Sequence, residues 1–244
     1  MTFKAFPQFN DPALHPFAAS RSRLKPPHER YFPSSSLADR LARSLARHRA
    51  VPIKEAVESF EFFWRVRNHL RSCRIVDLMC GHGLVGLLFA AYDRRVEEIV
   101  LLDRKRPPSH DVVLSAISEE APWVVERARF VQQKVQHDWS GMPLQASIIG
   151  VHACGRRTDA CLDAAIRLEG AVAVMPCCYQ EDAPGPLSVA RALGPAMAWD
   201  VHRTYRLEAA GYKVRWTAIP PAVSAMNRIL VATKIPVDCA PACS

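Results

Sequence analysis

Residues 71–236 predict a doubly wound, Rossmann-like α/β fold built on a seven-stranded sheet. A basic, helical N-terminal extension (residues 1–70) precedes it, and a short tail (residues 237–244) follows. Three observations predict this fold. From Arg74 onward, apolar strand-like runs alternate with helical patterns five times. The first run ends in Asp77-Leu-Met-Cys-Gly-His-Gly83, a glycine turn that opens directly into the apolar stretch Leu84–Ala91. The last two runs, 212–218 and 228–234, follow each other with no helical pattern between them.

Composition sets the outer limits. A chain of 244 residues, 49% hydrophobic and 23% charged, is globular and long enough for one full domain with an appendage. The net charge of +8 is unevenly spread: residues 1–50 carry 9 Lys/Arg against 3 Asp/Glu, or +6. Such asymmetry points to a basic arm or face suited to a polyanion. No run of about 18 apolar residues is present, so no spanning helix and no membrane partner is expected. The eight cysteines lie largely within apolar strand-like runs, and the N-terminus lacks an apolar signal segment. Reduced thiols and a cytoplasmic location are therefore expected.

Taken in order, residues 1–35 hold six prolines and little periodicity, which predicts an irregular, wrapping or mobile arm. Ser36 caps a helix with Asp39 in its first turn; Leu37, Leu41 and Leu45 share one face and arginines solvate the rest. A second helix, 54–70, turns Phe60, Phe63, Trp64 and Leu70 toward the core. Strands are expected at 74–79, 98–103, 128–135, 146–152 and 171–175, with helices near 84–92, 110–126 and from 158 to before Gly170. The prolines of 180–196 predict a long loop with at most a short helix. A helix over 200–210 ends at Gly211, a C-cap position.

The glycine turn narrows the ligand. No Gly-Lys-Ser/Thr is present, so a phosphate-cradling NTP loop is not expected, and Gly86 falls too late for the third glycine of a dinucleotide fingerprint. A dinucleotide oxidoreductase stays open. S-adenosylmethionine fits better, because it carries no phosphate and needs carboxylates. Asp77 would orient the turn formed by Cys80, Gly81, His82 and Gly83, with Cys80 packing beneath it. Asp103, at the end of the second strand, would accept the ribose hydroxyls. Gln136 and Asp138, past the third strand, lie where an adenine edge would be read.

The ends of the fourth and fifth strands carry His152-Ala-Cys-Gly155 and Pro176-Cys-Cys-Tyr179. In an open α/β sheet both loops face the ligand crevice. Three chemistries compete. His152, with Tyr179 and Asp159, could deprotonate an acceptor. Cys177 or Cys154 could attack a pyrimidine ring as a thiolate. His152, Cys154, Cys177 and Cys178 could bind zinc, although the adjacent Cys177-Cys178 pair lacks the usual C-x-x-C spacing, so no metal is the preferred expectation.

The motifs DLMCGHG, VHACGRRTD (151–159), PCCY (176–179) and MNR (226–228) together resemble a branch of the class I methyltransferases. That branch includes the eukaryotic tRNA acceptor-stem 2′-O-ribose methyltransferases. It also includes the methyltransferase-like domain of the glutathione S-transferase C-terminal domain-containing proteins. The resemblance covers about residues 70–235. His152, Cys154, Gly155, Thr158, Asp159, Cys177, Cys178 and Tyr179 match position by position; Tyr179 stands where the tRNA enzymes have His, and residues 1–72 hold no Cys to match their zinc finger. The resemblance implies an S-adenosylmethionine-dependent methyltransferase acting on RNA, with a tRNA-like substrate. The cofactor would be held by Asp77, Cys80, Gly81, His82, Gly83, Asp103, Gln136 and Asp138, and His152, Asp159, Cys177, Cys178 and Tyr179 would face the acceptor. Alternative readings are methylation of a small molecule or protein, and a non-catalytic metal-binding module on the same fold.

Overall fold

The computed structural model describes residues 1–135, 139, 141–179 and 185–235. Gln136, Asp138 and the tail from 237 lie outside the described residues. The chain runs α1 (His15–Ala18), α2 (Leu37–Arg47), α3 (Ile53–Val66), β1 (Arg74–Leu78), α4 (Leu84–Tyr92), β2 (Glu98–Asp103), α5 (Pro108–Glu120), α6 (Val124–Arg127) and β3 (Ala128–Gln132). It continues through β4 (Ser147–Val151), α7 (Arg156–Leu168), β5 (Val172–Met175), α8 (Leu187–Leu193), α9 (Pro195–Ala209), β6 (Tyr212–Ala218) and β7 (Arg228–Lys234). The seven strands are ordered β3-β2-β1-β4-β5-β7-β6. The first five are parallel, and β7 inserts antiparallel between β5 and β6. Strand order reverses between β1 and β4, which opens a crevice beyond their carboxyl ends.

Alternation along the strands sorts two cores. Ile75, Ile99, Leu101 and Ile149 pack on one face with α2, α3, α4 and α5. Val76, Val100, Leu102 and Ile148 pack on the other with α7 and Leu207 of α9. Both faces of the central strands are therefore covered, as a parallel sheet requires.

The arm wraps rather than swings. Phe6, Phe9 and Phe32 are fully buried and meet edge-on or tilted at centroid distances of 5.0–5.7 Å. Buried Glu61 of α3 accepts the N–H groups of Lys4 and Ala5, both at 2.8 Å, and pairs with Arg65, which donates to the Thr2 carbonyl. A buried carboxylate thus fixes the start of the chain against the domain. Nor is the basic face of α2 simply solvated: Arg40 pairs with Glu120 and Arg47 with Glu119, both on α5, and Arg43 donates to the carbonyls of Phe32 and Ser34. Ser36 accepts the Asp39 N–H as its capping position predicts.

Helix α3 ends at Val66 rather than near 70 and β3 at Gln132 rather than 135, and two further helix boundaries differ from expectation. The helix after β2 divides into α5 and α6 at Ala121-Pro122, since the residue before a proline is pushed out of helical geometry. Helix α9 begins at Pro195 rather than near 200, because a proline in the first turn opens a helix instead of breaking one. The short helix expected in the proline-rich loop is α8. Among the described residues no helix is long and apolar enough to cross a membrane.

Candidate active site

The turn after β1 is organised by two carboxylates. Asp77, 2% exposed, accepts the Gly86 N–H at 3.0 Å, and Asp103 accepts the Gly81 N–H at 3.0 Å. Gly81 and Gly83 both have positive φ, and a Cβ on Gly83 would come within 2.9 Å of Leu101, whereas one on Gly81 would meet nothing within 4 Å. Gly81 therefore leaves open space where a ligand can lie against backbone. His82 Nδ1 accepts the Leu84 N–H at 3.2 Å, so its Nε2 carries the proton directed at Glu55, 3.2 Å away. Burial, reinforced by the charge of Asp103, pushes the Asp77 carboxyl up to about 7 against the opposing Gly86 N–H. A cation bound here would favour the ionised form. Cys80 packs beneath the turn, its thiol driven upward by burial and by Asp77 and Asp103.

Two cavities flank this turn. One, of about 530 Å³, lies between the turn and α3, and Glu55, Glu58, Asp77, Gly81 and His82 are among its walls. The other, of about 1020 Å³, lies beyond β1, β2 and β4; Asp103, Lys134, Arg156, Arg157 and Arg206 line part of it. Met79 and His152 belong to both. These two residues directly follow β1 and β4 with φ of 55° and 58°, values that L side chains adopt at a cost and that cluster at functional sites. They form the ridge where the two cavities meet.

His152 does not stand alone. Its Nε2 lies 3.1 Å from Glu58 of α3, whose other oxygen is 3.3 Å from Lys54. Burial works to raise Glu58, but the hydrogen bond and charge of His152, the charge of Lys54 and a hydrogen bond from Ser224 hold it below the usual carboxylate range. A buried carboxylate that fixes one imidazole nitrogen leaves the other to act as a proton acceptor.

The loops after β4 and β5 are joined through backbone: His152 N–H donates to Met175 O (3.0 Å), and Gly155 N–H to Cys178 O (3.3 Å). Gly155 sits at φ 60°, ψ −131°, a conformation open only to glycine. This pairing brings the Cys154, Cys177 and Cys178 sulfurs together, while His152 is turned to Glu58 and stays outside that group. Burial raises the Cys154 and Cys177 thiols, and neighbouring sulfurs raise Cys177 further, opposite to what an attacking thiolate needs.

Tyr179 and Asp159 are brought to the same edge but are held by partners. The Tyr179 hydroxyl donates to Asp200 (3.0 Å), and burial together with Asp200 raises its pKa. Arg228 of the MNR motif closes on Asp200 at 2.7 Å, and Asn227 bonds Ile219 across the turn between β6 and β7. Asp159 accepts two bonds of 3.0 Å from Arg203, which is 1% exposed and also donates to Gly155 O. Glu55, Glu58, Asp200 and Arg203 were not singled out from sequence. Glu55 and Glu58 look like surface charges of a helix. For Asp200 and Arg203 the i, i+3 spacing on α9 was the only available signal.

A seven-stranded sheet of this order, with a glycine turn between carboxylates at the ends of β1 and β2, defines a class I S-adenosylmethionine-dependent methyltransferase. A family model described as a methyltransferase domain matches residues 49–183, more than half of the chain, and the chain belongs to that family. Among solved structures, a protein from Corynebacterium glutamicum superposes with a TM-score of 0.55 at 17% identity, over 85% of this chain and 94% of that one. The S-adenosylmethionine-dependent methyltransferase SibL in its apo form gives 0.48 at 17% identity, over 94% and 73% of the two chains. A precorrin-6y C5,15-methyltransferase from Geobacter metallireducens gives 0.45 at 16%, over 72% and 88%. No curated protein matches the sequence. The protein is an enzyme of methyl transfer, and S-adenosylmethionine is its cofactor.

Proposed function

We propose that this methyltransferase acts on a hydroxyl of a structured, tRNA-like RNA. The observation that carries the reading is the charge of the larger cavity. Its lining includes five Lys/Arg against three Asp, and two of those acids, Asp159 and Asp163, are already paired with Arg203 and Arg206. A phosphate backbone is the natural complement of such a wall, and the motif resemblance at 151–159 and 176–179 supports the same branch. The basic arm does not: Phe3, Phe6, Phe9 and Phe32 are buried, and Arg23, Arg40, Arg43 and Arg47 are engaged within the protein.

In this reading Asp103, at one end of the larger cavity, would receive the ribose hydroxyls of the cofactor, Gly81 and Gly83 would let its chain lie on backbone, and Asp77 with His82 fixes the turn. The bound cofactor supplies an electrophilic methyl group on a sulfonium. His152, steadied by Glu58, would take the proton of the acceptor hydroxyl, readying that oxygen for the methyl group the cofactor would supply. Cys177, Cys178 and Tyr179 wall the acceptor side, and Asp159 with Arg203 holds that wall in position. Alignment of acceptor and methyl group accounts for much of the rate.

The test is binding of a tRNA pool to the full chain at several salt concentrations, beside methyl incorporation followed by nucleoside mass spectrometry. Affinity should fall steeply with salt, and Arg156→Glu/Arg157→Glu should abolish RNA binding while cofactor binding persists. Methylation of a small hydroxylated acceptor with no RNA binding at low salt would overturn the reading.

A further inference from the structure

We propose that Cys154, Cys177 and Cys178 form a binding site for a thiophilic divalent ion of the zinc class. The three Sγ atoms stand 3.0 Å (154–177), 3.4 Å (154–178) and 3.6 Å (177–178) apart. Three thiolates on one zinc, each at the ~2.3 Å of a zinc–sulfur bond, stand about 3.8 Å apart in a tetrahedron. Each pair needs to open by less than an ångström to form one face of that polyhedron. A disulfide needs two sulfurs and leaves the third without a role, whereas here every sulfur is close to both others. Backbone supplies the register: the bonds from His152 to Met175 and from Gly155 to Cys178 fix one loop against the other. Glycine at 155 permits the φ of 60° that turns Cys154 toward the pair.

The missing C-x-x-C spacing is therefore not an obstacle. That spacing serves a knuckle in which a single turn delivers two ligands; here two strand ends deliver three. His152 stands outside this group of ligand atoms, and its Nε2 is directed at Glu58. The ion exchanges for the three thiol protons, which pass to solvent, and its fourth position is left to water or to an acceptor atom, since Cys178 is exposed. The ion would tie the loops after β4 and β5 together two residues from His152. This inference rests on the sulfur geometry alone and does not depend on what the acceptor is.

The test uses the full chain purified without chelator, with metal content measured directly, followed by removal of metal under reductant and titration with cobalt(II). The expected result is one zinc per chain and, on titration, a saturable thiolate-to-cobalt charge-transfer band with intense tetrahedral d–d bands. Cys154→Ser, Cys177→Ser and Cys178→Ser should each lose or strongly shift that signature. Cys73→Ser and the double variant Cys239→Ser/Cys243→Ser should keep it. Circular dichroism and cofactor binding report whether each variant is folded, and the wild-type titration stands even if a variant is not. Absence of stoichiometric metal and of the cobalt band in the wild type would overturn the proposal. So would a Cys154–Cys177 disulfide that survives reductant in place of an ion, or loss of the signature only in the Cys239/Cys243 variant.

Discussion

The turn after β1 and the paired loops after β4 and β5 lie at one edge of one sheet, yet they are held in different ways. The first is a backbone construction: glycines at positive φ, N–H groups on Asp77 and Asp103, and an apolar helix seated immediately behind. The second is a side-chain construction, in which Asp159–Arg203, Tyr179–Asp200–Arg228, His152–Glu58 and three cysteines each fix one piece. The contrast teaches where each can fail. A backbone cradle is sensitive to a single added methyl group, whereas a web of charged pairs is sensitive to losing one partner.

The largest effect should come from that web. Asp159→Ala leaves the buried Arg203 guanidinium without its bidentate partner, and stranding a buried charge costs about 3–5 kcal/mol. Denaturant unfolding should show this loss. A change below about 1 kcal/mol would mean that Asp200, 3.8 Å away, already suffices. Next, His152→Ala should lower kcat by roughly 100-fold or more while leaving cofactor affinity within a few-fold, as expected when a positioned proton acceptor is removed. Glu58→Gln should act in the same direction, more weakly, and shift the pH profile of kcat.

The cradle is tested by Gly83→Ala. Left-handed backbone costs an L residue about 1–2 kcal/mol, and contact with Leu101 adds to it. Both melting temperature and cofactor affinity should fall, whereas Gly81→Ala, with open space around it, should weaken cofactor binding more than stability.

The Asp77 carboxyl gives the cradle a pH signature. Its folded pKa of about 7 lies above the unfolded value of 3.8, so the folded state holds an extra proton between those limits. Stability of the cofactor-free protein should therefore decline as pH rises from about 4 to 7. Cofactor binding, which places positive charge nearby, should release a proton near neutrality and strengthen toward pH 8. Calorimetry in buffers of different ionisation enthalpy reads this directly, and Asp103→Asn should lower the Asp77 pKa.

The smallest effect belongs to the contact between α2 and α5. Glu119 is drawn down to about 2 by hydrogen bonds from His48, Arg47 and Ser44. Its contribution is complete above about pH 4.5 and is lost as pH falls toward 2. The pair is substantially exposed, so Glu119→Gln should cost under ~1 kcal/mol.

The sheet was legible because each central strand is a short apolar run bounded by Gly, Pro or acid, and β6 and β7 end where the sequence pattern ends. The Pro195 helix start was misread because proline marks either a break or a first turn, and only the tertiary setting separates these. The grouping of Asp77, the glycines and Asp103 around one turn was legible for a related reason, since they are close in sequence or at matching strand ends. The partners of His152 and Tyr179 were not. Glu58 is 94 residues from His152 and Asp200 is 21 from Tyr179, separations that no local pattern encodes.

The ridge formed by Met79 and His152 has a practical consequence for chemical tools. Because both residues line both cavities, a single molecule laid over them can occupy both without leaving the protein surface. A compound joined across that ridge, with its anionic end toward the arginines of the larger cavity, would need to give up its freedom of motion only once. Such a tethered compound should outbind the two halves supplied separately, with the tether length that spans the ridge as the variable to optimise.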